Sequence, residues 1–207
     1  LSAYNEPGTT LVDTDGKGVE AITSEGVIVD GKHYELDCLI FASGFEVGTP
    51  HTERTGFDLA GKDGRTLSSH WQDGMRTLHG THAHGFPNAF IVQPTQGANL
   101  ISNVPHNLTE SGRTIAMVVK HALDKGHQTV EVSEEAEQAW IDLLLTGPGR
   151  MIGSQECTPG YYNNEGQEPG PAARLSVGYP QGATAYFKYL KDWRESGSFE
   201  GLVFDEP

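Results

Sequence analysis

Glu35-Leu-Asp-Cys-Leu-Ile-Phe-Ala-Ser-Gly-Phe45 decides how the chain is read. An acid leads into a short apolar run, and a small-residue turn at Ser43-Gly44 ends it. Cys38 to Phe41 is too short for a helix, so the run predicts a fully buried strand of a parallel sheet. Glycine at such a stop removes the Cβ that would hold a ligand away from the backbone. Periodicity alone favours an ordinary buried strand with a glycine turn. A backbone passing close to a ligand is the second reading.

The elements around this run are recognisable. Thr10-Leu-Val-Asp13 predicts a short strand, Val19 to Ile22 alternates weakly, and Gly26-Val-Ile-Val-Asp30 is a stronger strand. Asp30-Gly31 is a type I′ hairpin signal that returns the chain through Lys32–Glu35. The result is a small antiparallel meander feeding the Asp37–Phe41 strand. Residues 46–75 predict loops with one short helix near Leu67–Trp71, and Thr77–His84 a short strand. Pro87-Asn88 is a turn before a second buried strand ending at Val92, and Gln93-Pro-Thr-Gln-Gly97 reads as a polar loop.

A long helix is expected from Ser102, with Ser102 as its cap and Pro105 in the first turn, where its missing N–H does no harm. Ile115, Met117, Val118, Val119, Ala122 and Leu123 give it an apolar face, and Gly126 stops it. Thr129–Val132 predicts a short strand. Ser133 caps a further helix with Glu134, Glu135 and Glu137 at its positive end. Ala136, Trp140, Leu143 and Leu144 form that helix's buried stripe. Residues 150–180 form a long Gly/Pro/Asn segment, of the kind that is usually functional or mobile. Thr184–Glu195 predicts a closing amphipathic helix carrying Tyr186, Phe187, Leu190 and Trp193.

Bulk composition narrows the function classes. The chain is long enough for one or two domains. Glycine is abundant, at 26 of 207 residues. The net charge of −14 argues against nucleic acid or an anionic membrane as partner. No apolar run is long enough to span a membrane. The two cysteines, Cys38 and Cys157, make no disulfide framework and suit a cytoplasmic protein. Asn107-Leu-Thr109 matches a glycosylation sequon and reads as chance.

Two clusters invite ligand hypotheses. His79, His82 and His84 form an H-x-x-H-x-H pattern, but no cysteine or H-E-x-x-H motif accompanies it. An ordinary polar loop is the favoured reading over a metal site. Gly147-Pro-Gly149 with Gly153 follows a predicted helix at the wrong spacing for a dinucleotide fingerprint. Gly160-Tyr-Tyr-Asn-Asn-Glu-Gly166 reads as an exposed loop or as an element closing over a ligand.

Leu11-Val-Asp-Thr14, Gly18-Val-Glu20, the Asp30-Gly31 hairpin, Leu39–Phe45, Leu78-His-Gly80, His84-Gly-Phe-Pro-Asn88 and Pro105-His106 come in a familiar order. Together they resemble the C-terminal portion of flavin-dependent Baeyer–Villiger monooxygenases. The match runs through most of residues 8–125, and Gly160–Gly166 and the closing aromatic helix resemble the tail of some members. The resemblance implies an α/β fold: the C-terminal part of a Rossmann-like FAD/NAD(P)-binding two-domain flavoprotein, with a small antiparallel meander. On that basis residues 1–125 belong to the FAD-binding domain and 126–207 form a helical and loop extension.

The same resemblance implies Ala42, Ser43, Gly44 and Phe45 as flavin-contacting residues. It implies that Asn103 and Val104 offer backbone N–H groups to a flavin carbonyl oxygen. Where the Gly160–Gly166 loop is read as closing over a ligand, Tyr161 and Tyr162 shape a substrate pocket. The cofactors implied are FAD and NADP, and the partners a ketone substrate and molecular oxygen. The family's two G-x-G-x-x-G motifs, its F-x-G-x-x-x-H-x-x-x-W fingerprint and its active-site arginine are absent. The chain is therefore expected to be a portion of a longer protein, inactive without the missing N-terminal part that holds both cofactors. A flavin monooxygenase oxidising nitrogen or sulfur, and a non-catalytic acidic binding module, are the alternatives.

Overall fold

The structure is a computed structural model that describes residues 2–43, 51–93, 95–99, 102–147 and 175–205. It divides into two compact units, Leu1–Val47 with Gln155–Gln167, and Gly48–Ser154 with Glu168–Pro207. The long helix and the one after it, on either side of residue 125, both belong to the second unit.

The first unit is a three-stranded antiparallel meander of β1 (Ala21–Ile22), β2 (Gly26–Val29) and β3 (Lys32–Glu35). Ala21 pairs with Ile28, and Val27 with Tyr34. The hairpin forms as read, since Asp30 and Gly31 have φ of 49° and 70°. That pair of left-handed residues is what a type I′ turn demands. Gly26 has no room for a side chain, since a Cβ there would lie 1.9 Å from the Tyr34 carbonyl oxygen.

Two expectations fail in this unit. No strand forms at Thr10–Asp13, where Leu11 is exposed. None forms at Asp37–Phe41 either: Ile40 and Phe41 are 82% and 74% exposed, and Cys38 is exposed rather than buried. A parallel strand exists only when neighbours take up its hydrogen bonds. The only strand pairs among the described residues are antiparallel.

The second unit contains α1 (His51–Thr55), α2 (Leu67–His70), α3 (Val104–Lys125), β4 (Val130–Val132), α4 (Glu134–Leu145), α5 (Ala183–Ser196) and β5 (Leu202–Phe204). β4 pairs antiparallel with β5, a strand that the sequence reading did not anticipate. The helix ends follow local rules. Ser133 caps α4 by accepting from the Ala136 N–H. Such a cap is worth about 1 kcal/mol. Gly126 and Gly197 close α3 and α5 in the left-handed conformation. α3 is capped by Asn103 rather than Ser102, one residue later than expected, because the Asn103 side chain accepts from the His106 N–H.

The main core joins Leu78, Ala98, Val132, Trp140, Leu144, Val177, Tyr186 and Leu190. A second cluster gathers Val118, Val130, Trp193 and Phe199, and a third Leu67, Ala83 and Phe86. The predicted Thr77–His84 strand is reduced to one bridge, Leu78 to His82, around a turn with left-handed His79 and Gly80. The predicted strand after Pro87-Asn88 also does not form. The turn is present, but beyond it Ile91 donates a single backbone bond to Thr81, and Val92 is exposed.

α3 reverses the expected orientation. Of its predicted apolar face only Val118 is fully buried, while Met117, Val119 and Leu123 are exposed. The buried face is polar: Asn107, Glu110, Ser111 and Thr114. The cause lies on α5, where Arg194 Nη2 donates to Glu110 Oε2 at 2.6 Å and Nη1 to Thr114 Oγ1 at 3.1 Å. A buried guanidinium needs that partner set, and it selects the face of α3 turned inward. No helix among the described residues is long and apolar enough to cross a membrane.

Candidate functional site

The start of α3 (Val104–Lys125) is the candidate site. The first turn of a helix leaves N–H groups without intrahelical acceptors and holds the positive end of the dipole. Asn103 covers one of these by accepting from His106 N–H at 3.1 Å, and Pro105 has no N–H. Asn103 itself is exposed and Val104 half-buried. Ser102 Oγ and Asn107 Oδ1 are buried with no hydrogen-bond partner. Buried polar atoms are nearly always paired, and these two flank the helix start, while the other unpaired buried side-chain atoms among the described residues are ring nitrogens of His51, His70, His79 and His82.

The loop before this helix is held tightly. Gln96 is fully buried with φ of 60°. Its Oε1 accepts from Thr77 Oγ1, and its Nε2 donates to the carbonyls of Met75 at 2.6 Å and Leu175 at 2.8 Å. Trp140 Nε1 donates to the Gln96 carbonyl at 3.2 Å, and Tyr186 Oη to the His79 carbonyl at 2.9 Å. Asn107 Nδ2 donates to the Asn99 carbonyl at 3.0 Å, joining the loop to the first turns of α3. The sequence reading passed over Gln96 as part of a polar loop, and only its position directly before Gly97 marks it.

Of the residues implied as ligand contacts, Asn103 and Val104 lie together at the α3 start in the second unit. Ala42 and Ser43 lie in the first unit, exposed and without regular structure. Gly44, Phe45, Tyr161 and Tyr162 lie outside the described residues, as do Cys157 and Gly160–Gly166.

The three histidines have separate surroundings. His79 is boxed by Trp140, Tyr189 and Trp193, with its Nε2 3.0 Å from Tyr189 Oη. Burial, with a contribution from nearby His82, holds its pKa well below the ordinary histidine value. His82 packs edge-on against Phe90, and burial lowers its pKa to about 4. His84 Nδ1 donates to the Val132 carbonyl at 2.9 Å. No group of three or more metal-binding side chains comes together among the described residues.

A buried polar centre was missed by the sequence reading. Glu137 sits on the inner face of α4, where Oε1 accepts from His70 Nε2 at 3.0 Å and from the His84 N–H at 2.8 Å. Arg76 Nε approaches the other oxygen at 3.4 Å. Burial pushes this carboxyl up, but the His70 and His84 hydrogen bonds and the charge of Arg76 outweigh it and leave the pKa lowered. Glu137 thereby ties α4 to His70 of α2 and to the backbone at His84.

No family profile matches the chain. The chain is 44% identical over 205 residues to pentalenolactone D synthase of Streptomyces exfoliatus, covering 98% of the chain and 35% of that protein. It is 42% identical over 203 residues to the FAD-binding monooxygenase hmp7 of Hypomyces subiculosus, covering 98% and 33%. It is 37% identical over 206 residues to the Baeyer-Villiger monooxygenase ATR8 of Stachybotrys chlorohalonatus, covering 99% and 33%. Among solved structures, the polycyclic ketone monooxygenase of Thermothelomyces thermophila superposes with a TM-score of 0.83 at 34% identity, covering 98% of the chain and 33% of that protein. Oxidized steroid monooxygenase bound to NADP shares the fold, with a TM-score of 0.76 at 22% identity and coverage of 99% and 36%. The chain spans about a third of the length of the curated relatives it matches.

Proposed function

We propose that this chain, which belongs to the flavin-dependent Baeyer–Villiger monooxygenase family, supplies one wall of the flavin site and part of the substrate cavity of a longer enzyme. That enzyme uses FAD, NADPH and molecular oxygen to convert ketones to esters or lactones. The observation that carries the reading is the open start of α3, with Ser102 Oγ and Asn107 Oδ1 buried and unpartnered beside it. This donor-rich, positive helix terminus fits the carbonyl-bearing edge of a flavin, which would meet the Asn103 and Val104 N–H groups. When bound, the flavin supplies the redox and oxygen-activating chemistry. The chain's own part is to orient the flavin at Asn103 and Val104, to favour negative charge on its reduced form, and to keep water out.

The exposed apolar segments support the same reading. Leu39, Ile40 and Phe41 in the first unit, and Val92 in the second, end runs with the apolar pattern of parallel-sheet strands, yet they stand in solvent. On α3, Leu108, Val119 and Leu123 are exposed and share one side of the helix with half-buried Ile115. The occupant that covers these surfaces is the remaining portion of the same polypeptide, which completes the sheet and carries the two dinucleotide fingerprints.

Residues 1–207 produced alone are expected to retain no flavin and to form no ester or lactone from a ketone with NADPH, FAD and oxygen supplied. The longer polypeptide is expected to purify yellow and to form the product. Turnover by residues 1–207 alone, or a colourless and inactive longer protein, defeats this reading.

A further inference from the structure

We propose that Gln96 is a positioning residue that fixes the start of α3 and so sets where the Asn103 and Val104 N–H groups meet the flavin. The inference rests on the function proposed above. It starts from where the hydrogen bonds converge. Each heteroatom of Gln96, in side chain and backbone, has a partner: Thr77, Met75 and Leu175 on the amide group, Val177 on the N–H and Trp140 on the carbonyl. These partners come from the loop before the Leu78 bridge, from α4 and from the segment leading to α5. One residue therefore ties three separate stretches of the second unit to a single loop.

The loop's backbone is also strained. Gln96 and Asn99 take φ of 60° and 56°. Asn tolerates the left-handed region, whereas Gln seldom adopts it, so the strain lies at Gln96. Such conformations persist only where the surroundings over-determine them, and they concentrate at functional sites. Gly97 between them lies against Tyr186, where a Cβ would come within 2.7 Å of the ring. Its carbonyl accepts from the Tyr179 N–H at 2.8 Å. From Asn99 the tether passes to Asn107 and thus to the first turns of α3. A shift of the helix start relative to Asn99 would strain the Asn107 Nδ2 bond to the Asn99 carbonyl. For donors aimed at a reacting cofactor, a displacement of about 1 Å costs up to about a hundredfold in rate.

The test uses the full-length polypeptide. Gln96→Met keeps the side-chain volume and removes its hydrogen bonds. Thr77→Val removes only the bond to Oε1 and serves where Gln96→Met does not fold, with Thr77→Ser as the restoring substitution. The expected result is a shifted visible flavin spectrum, a more negative flavin midpoint potential and a roughly ten- to hundredfold fall in kcat. In the flavin-free protein, faster amide exchange is expected at His106 and Asn107. Thr77→Ser is expected to return all four readouts to wild type. Variants that lose thermal stability while keeping the wild-type spectrum, potential and exchange rates overturn the positioning role, and so does failure of Thr77→Ser to restore them. A wild-type protein that binds no flavin defeats the functional reading instead, and is recognised before any variant is compared.

Discussion

In the second unit Trp140, Tyr186 and Leu190 meet from two helices and close a core with Leu78 and Val177, while in the first unit Leu39, Ile40 and Phe41 stand in solvent. Both stretches are comparably apolar. What separates them is whether the described chain contains something to pack against. A buried Leu, Ile or Phe contributes about 1.5–3 kcal/mol relative to an exposed one, so the first unit leaves several such contributions unrealised. Apolar sequence is thus a demand for a partner, met at Trp140, Tyr186 and Leu190 and, among the described residues, unmet at Leu39, Ile40 and Phe41.

The sharpest way to break the second unit is to remove one half of its buried ion pair. Arg194 and Glu110 have side chains only 8% and 7% exposed. Arg194→Ala leaves the Glu110 carboxylate with Arg113 Nη1, at 2.5 Å, as its remaining cation and removes the donor to Thr114, and is expected to cost about 3 kcal/mol. Trp71, Trp140 and Trp193 are the chain's three tryptophans, and all lie in the second unit, so tryptophan fluorescence during urea unfolding reads the loss there. An unchanged midpoint refutes the claim that this pair orients α3.

Acid is the next largest perturbation. His79 and His82 are kept neutral by burial, with pKa values below the unfolded value of 6.5. Above that pH neither state binds these protons and no penalty arises. Between pH 6.5 and about 4 the unfolded chain takes up protons that folded His82 refuses, so stability falls as pH falls. For His82 the full shift corresponds to about 3 kcal/mol. Glu137 and Glu110, whose pKa values are lowered from 4.5, add a loss only below that value. Urea midpoints measured at about pH 7 and about pH 4.5 are expected to differ clearly. His82→Phe is expected to flatten the dependence, and an equal slope in both proteins discards the explanation.

The features foreseen from sequence are those decided within a few residues. Asp30-Gly31 makes its turn, Ser133 caps α4, and Gly126 ends α3, because the relevant sterics and hydrogen bonds are local. The inward face of α3 was misread because a charge on α5 chooses it. Gln96 was invisible for the same reason, since its partners lie at Thr77, Trp140 and Leu175. The Asp37–Phe41 strand failed differently: the run is apolar as read, but among the described residues nothing pairs with it. Asn103 and Val104 entered as donors through a family resemblance alone, since no local pattern sets them apart from the first turn of any other helix.

Within the first unit, Gly26→Ala places a Cβ against the Tyr34 carbonyl. The substitution is expected to cost more than about 1 kcal/mol. Its effect should appear in the amide signals of Val27–Val29 and Lys32–Glu35, the strands that Gly26 joins in register. Unperturbed β2–β3 amides in the variant contradict the close approach.

The smallest expected effect is the most informative about the contrast between the units. Ile40 is 82% exposed. Ile40→Asn in residues 1–207 alone is therefore expected to change stability by no more than about 0.5 kcal/mol. In the longer polypeptide the same substitution places an amide where a sheet is proposed to bury an aliphatic side chain. The expected cost there rises to about 2–5 kcal/mol from lost burial and an unsatisfied polar group. The difference between the two measurements isolates what the rest of the polypeptide contributes at this position, because the residue and its neighbours in sequence are identical in both. A large loss already present in the short chain means that Leu39–Phe41 finds its partner within it. A negligible loss in both means that the run is exposed in the whole enzyme and is no strand of the flavin-binding sheet.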